Sequence, residues 1–168
     1  MPSITTIILG ILISLGAAAE EPFKFTVQGE SIKVEFEGRS RPVFLPNGVW
    51  VKKQIKATDE DAWIFLLIRK ERIANTVFGL MTAKKENSKW HIEFPLVDPA
   101  LSEILDKTSW LTELGDAKSL RHVYLMVSTN RDDGSGLLRF HWQLWNLETR
   151  KLTKVVEPTE PFKARINQ

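Results

Sequence analysis

Cysteine is absent from all 168 residues, and the absence removes several kinds of chemistry at once. Thiolate metal sites, cysteine nucleophiles and disulfide staples are excluded, as is the lipid-modified cysteine of a processed amino terminus. Stability must come from buried apolar surface. An excess of charge of one sign is missing too: 23 basic and 21 acidic residues leave +2, a field too weak to favour nucleic acid. No Asn-x-Ser/Thr glycosylation triplet occurs, since Asn75 leads into Thr76-Val77, Asn87 into Ser88-Lys89 and Asn130 into Arg131-Asp132. Equally absent are a glycine loop with lysine for phosphate, a Gly-x-Ser-x-Gly elbow and a His-Glu-x-x-His pair.

Of long apolar runs there is little, and what there is lies at the start. Ile4 to Leu15 is shorter than the roughly 20 residues of a membrane-spanning helix, and it gives way to Gly16-Ala17-Ala18-Ala19 and then Glu20-Glu21-Pro22. The pattern predicts a secretory signal peptide over residues 1–19, cut after Ala19. No Lys or Arg precedes the run, so an uncleaved amino-terminal anchor is the rival. The expected location is periplasmic or secreted, with no stable membrane insertion after cleavage. Lack of both cysteine and glycosylation acceptors suits a bacterial export route better than an animal one.

The remaining chain suits one domain, residues 20–156, followed by a tail at 157–168. With 43% hydrophobic and 26% charged residues, it falls in the globular range. Period-two alternation runs through most of it. Phe23, Phe25 and Val27 share one face, Gln28-Gly29-Glu30 turns, and Ile32, Val34 and Phe36 alternate back. Pro46-Asn47-Gly48 is a tight turn between strands at 42–45 and 49–55. Trp63-Ile64-Phe65-Leu66-Leu67-Ile68 is apolar on both parities, which predicts a strand covered on both faces.

A pair at 76–84 and 89–96 follows, with Trp90, Ile92 and Phe94 inward. Asp98-Pro99 then resembles a helix start, with Leu101, Ile104 and Leu105 at helical spacing, and Ser109 to Leu114 a second short helical turn ended by Gly115. Strands resume at 122–128 and 137–147, where Leu138, Phe140, Trp142 and Leu144 take the inner parity, and a last strand occupies 151–156. The fold class expected is mainly β: an antiparallel meander of about eight or nine strands forming a barrel or sandwich, with one short helical insertion near residues 99–114.

Chemistry-bearing residues are few. His91, His122 and His141 lie opposite the apolar parity of their strands, and if those strands were neighbours the three imidazoles could meet Glu93 and hold zinc. Solvent-facing histidines account for the same pattern. Trp145 shares its parity with Arg139, His141 and Gln143, a group that could stack on a sugar or anchor a protein partner; Trp145 tucked under a loop is the plainer alternative. Asp132-Asp133-Gly134-Ser135-Gly136 lacks the alternate oxygen ligands and closing Glu of a calcium loop. Lysines and arginines near strand ends are interrupted by acids and predict a solvated rim.

These readings converge on an exported soluble β domain that acts as a non-catalytic binding module for a protein, glycan or small ligand. It needs no cofactor and binds no nucleic acid. The alternatives are a periplasmic or secreted enzyme or metalloprotein using His91, His122, His141 and Glu93, and a structural envelope-associated protein.

Overall fold

A computed structural model of the chain describes residues 21–39, 41–70, 75–97, 105, 109–130 and 138–156. The signal peptide and tail expected at 1–19 and 157–168 lie outside the described residues, as does most of the expected first helical turn. Every element described is a strand, and eleven are present instead of eight or nine.

Three antiparallel sheets stack in a sandwich-like arrangement. The first contains β1 (Phe23–Gln28), β2 (Ser31–Phe36) and β3 (Val43–Phe44). The central sheet runs in order β4 (Val49–Lys56), β5 (Ala62–Lys70), β6 (Asn75–Glu86) and β7 (Lys89–Val97). The third contains β8 (Ser109–Ser119), β9 (His122–Asn130), β10 (Leu138–Asn146) and β11 (Lys151–Val156), each strand beside its sequence neighbour. The Pro46-Asn47-Gly48 turn, closed by Val49 N–H donating to the Pro46 carbonyl at 3.0 Å, carries the chain from the first sheet into the central one.

The double-sided apolar run explains the stacking. In β5, Trp63, Phe65 and Leu67 point to the first sheet, and Ala62, Ile64 and Leu66 point to the third. Burial on both faces requires a layer on each side, and the two flanking sheets supply them. Against the first sheet the core is aromatic: Phe23 meets Trp63 and Phe65 edge-on at centroid distances of 5.0 and 5.1 Å, and Phe36 meets Trp90 at 5.7 Å. Such pairs add about 0.5 to 1.5 kcal/mol each beyond the area they bury. The core facing the third sheet is aliphatic, with Leu80, Leu96, Leu114, Val123, Leu125 and Val127 buried around Trp145.

Two sequence expectations fail here. Ser109 to Leu114 is the start of strand β8, not a helical turn. Its apolar residues, Leu111, Leu114 and Ala117, keep three-residue spacing because register shifts interrupt the ladder with β9; the bulges imitate a helical period. The second failure is the facing of β10. Register places Trp145 opposite Val123, Gln143 opposite Leu125 and His141 opposite Val127. Cross-strand partners share a face, so Arg139, His141, Gln143 and Trp145 lie on the inner face, and Leu138, Phe140, Trp142 and Leu144 on the outer.

Polar residues can occupy that inner face because they satisfy one another. The Trp145 indole Nε1–H donates to Gln143 Oε1 at 2.8 Å, which turns the amide nitrogen of Gln143 toward His141 Nε2 at 3.0 Å. An amide donor facing Nε2 requires that nitrogen to accept, so the imidazole proton of this arrangement sits on Nδ1. Burial of these groups costs little once they are bonded. On the outer face, Trp142 packs onto β8: a Cβ on Gly115 would lie 2.5 Å from its ring and 2.9 Å from Tyr124 Cβ. Glycine at 115 leaves the space that the indole fills.

Candidate functional site

Chain direction and edge contacts make the two sides of the third sheet unlike. On the β8 side, the carbonyls that would face outward are taken. Lys52 Nζ donates to the Thr112 carbonyl at 3.2 Å and Lys53 Nζ to that of Leu114 at 2.6 Å. The backbone N–H groups of Thr58 and Asp59 donate to the carbonyls of Ala117 and Lys118 at 3.1 and 2.8 Å. Glu113 holds both lysines, at 3.2 and 3.6 Å. This edge is sealed against the central sheet. On the other side β11 pairs, among the described residues, with β10 alone.

An ion cluster fastens the turn ends of the two larger sheets. Glu148, in the β10–β11 turn, accepts from Arg121 Nε at 2.6 Å and from Lys84 Nζ at 3.0 Å. Lys84 also pairs with Glu86 at 3.2 Å and Glu60 at 3.6 Å, while Glu60 accepts the Leu120 N–H. Hydrogen bonds from Arg121 and then Lys84 hold the Glu148 carboxyl below its ordinary 4.5, and the bond to Glu148 raises Lys84 above 10.5. A lowered carboxyl contributes stability that is complete above its unfolded pKa and disappears as pH falls through the folded value; a raised lysine contributes below 10.5 and fades as pH rises through its own. Glu148→Gln is therefore expected to lower the melting temperature by a few degrees at about pH 7 and by almost nothing at about pH 2. Paired thermal scans at the two pH values check it; an equal loss at both would mean the carboxylate charge contributes nothing.

The histidines and Glu93 do not gather. His91 and Glu93 lie exposed on β7 in the central sheet, His122 begins β9, and His141 is half-buried in β10, five residues up the ladder from His122. Among the described residues no group of three or more His, Asp or Glu is placed to hold a metal ion. The tryptophan group does come together, as the chain from Trp145 through Gln143 to His141, with Trp145 only 2% exposed and inside the core; Arg139 is exposed further along β10. Trp145 and Gln143 line one of two open clefts that flank Leu105, of about 460 Å³, together with Arg150, Lys151 and Leu152. The other, of about 530 Å³, lies among Lys52, Ile68, Val77 and Trp110.

Alternation within single strands does not reveal a second, different surface. Seven large apolar side chains are exposed among the described residues, and five of them belong to the third sheet: Trp110, Leu138, Phe140, Leu152 and Val155. Trp110 and Phe140, at 46% and 54% exposure, both stand opposite Ser128, so they flank it on one outer row. The signal in the sequence was the doubled apolar parity of β10, which cannot all face inward.

Fold and surface define an all-β, three-layer antiparallel protein with one sealed and one open sheet edge. No protein-family model matches the chain, and no match was found among curated proteins or among solved structures.

Proposed function

We propose that this chain is an exported, non-catalytic binding module whose third sheet is its contact layer. The observation that supports this is the outer-face group Trp110, Leu138 and Phe140, three of the seven exposed large apolar side chains among the described residues. Scattered single apolar residues are ordinary on a protein surface, whereas a group on one layer marks a contact site. A protein partner suits it best, because half-exposed Trp and Phe on a flat strand row are the anchors such interfaces use.

Photoreactive benzoylphenylalanine introduced at position 140, on the outer row, is expected to give discrete adducts in the compartment to which the chain is exported. The same group at position 24, exposed on β1, is expected to give none. Equal labelling at both positions, or none at either, overturns the proposal. Amino-terminal sequencing of the accumulated protein tests export separately: a chain beginning at Glu20 supports it, and an intact Met1 opposes it.

A further inference from the structure

The open edge of the third sheet carries a second, more specific feature. Among the described residues strand β11 has a hydrogen-bonding partner on one side only, which leaves a row of its N–H and C=O groups without a strand partner there. Arg150, Lys151 and Lys154 stand along it, exposed, and none has an ion-pair partner among the described residues. From Thr149 to Val156 the sequence contains no acidic residue. Against the opposite edge of this sheet, Lys52 and Lys53 of β4 are instead paired with Glu113.

Side-chain direction divides these groups by face. Leu152 stands opposite Trp145 and Val155 opposite Gln143, with a register shift that puts two residues three apart on the same side. Both are exposed, Val155 to 57%, and Leu152 borders the cleft over Trp145 and Gln143. Lys151 and Lys154, opposite Asn146 and Leu144, belong to the other face. A strand laid along β11 would therefore meet apolar side chains on one face and cations on the other.

We infer that β11 is a docking edge for an extended, acidic segment of a partner polypeptide, with carboxylates set against Lys151 and Lys154 and apolar residues against Leu152 and Val155. Main-chain hydrogen bonds would extend the third sheet by a fifth strand, as in β-strand addition generally. Charge argues against a second copy as occupant. Antiparallel self-pairing centred between Leu152 and Thr153 sets Lys151 of each chain opposite Lys154 of the other, and like charges directly opposite destabilise a pair. Of the other strands that end a sheet, β7 carries Pro95, which has no N–H to offer, β3 is two residues long, β1 carries a single cation, Lys24, and β4 sets Lys52 and Lys53 against β8. This inference rests on the proposed role of the third sheet in binding.

The test uses a fluorescent heptapeptide of alternating Glu and Val, its Lys-Val counterpart, and an N-methylated Glu-Val peptide of the same charge that cannot donate to an edge. The Glu-Val peptide is expected to bind the processed protein, with affinity falling about tenfold or more on N-methylation. Lys151→Glu with Lys154→Glu is expected to cost about tenfold and to transfer binding to the Lys-Val peptide. Val155→Pro, which leaves the charges in place, is expected to weaken the Glu-Val peptide as well. Equal binding of the methylated peptide, absence of binding, or self-association through β11 in sedimentation would each overturn the inference. Failure here with adducts at position 140 intact removes the edge alone; loss of both removes the binding reading of the sheet.

Discussion

Trp145→Ala is expected to lower unfolding stability by about 3 to 5 kcal/mol, whereas Trp110→Ala should change it by about 0.5 kcal/mol or less. The two residues are the same type on the same sheet, and only their surroundings differ. Trp145 is almost wholly buried among Leu80, Leu96, Leu125 and Val127, so its loss opens a cavity between two sheets that cannot close without moving strands. Trp110 projects from the outer row with nearly half its surface in solvent, and truncation there returns little area to water. Trp145→Phe separates packing from hydrogen bonding. It keeps much of the volume but leaves Gln143 Oε1 without the indole donor, which costs about 1 to 3 kcal/mol for a buried acceptor. Urea titrations of the three variants measure the differences through their midpoints at constant slope. A small effect of Trp145→Ala would place the ring outside the core and return it to the surface role suggested by its neighbours in sequence.

That contrast also marks where the sequence was informative. Period-two alternation located the antiparallel strands, and the apolar run from Trp63 to Ile68 identified the strand buried on both faces, because no other arrangement removes both parities from water. It did not say that three separate sheets result, since nothing local distinguishes a hairpin turn from the crossing at Pro46-Asn47-Gly48. The facing of β10 was illegible for a different reason. Phe140, Trp142 and Leu144 outweigh His141, Gln143 and Trp145 in hydrophobicity, yet the register with Val123, Leu125 and Val127 decides the face, and that register is long-range information. Once the chain commits, the indole-to-amide-to-imidazole hydrogen bonds offset the polarity of the inner set. Strand β8 was hidden by its bulges, whose three-residue spacing mimics a helix. The candidate surface was missed through the same step: Leu138 and Phe140, assigned to the core by parity, are exposed, whereas Trp142 and Leu144 stay buried on the outer face and Trp145 lies inside.

Gly79→Ala is expected to destabilise the chain by about 2 to 6 kcal/mol, far more than one methyl group ordinarily costs. Gly79 sits in β6 between Leu67 and Val97, at φ +147°, a backbone conformation open in practice to glycine. A Cβ there would lie 2.1 Å from the Leu96 carbonyl oxygen and 2.6 Å from Val97 Cα. Both are main-chain atoms of the neighbouring strand, so no rotamer change relieves the contact. Either β7 moves away from β6, or Gly79 changes conformation and drags Leu80 from the core facing the third sheet. Gly29→Ala supplies the comparison. Gly29 also has positive φ, at +62°, but nothing lies within 4 Å of its Cβ position, so only left-handed strain of about 1 to 2 kcal/mol applies. Denaturant midpoints give the two costs, and amide exchange shows where the larger one falls: protection at Leu96 and Val97 should drop first in Gly79→Ala, with β9 and β10 following only on global unfolding. Equal costs at the two positions would mean that β6 and β7 do not approach so closely, and the packing of Leu80 against Leu96 would have to be redrawn.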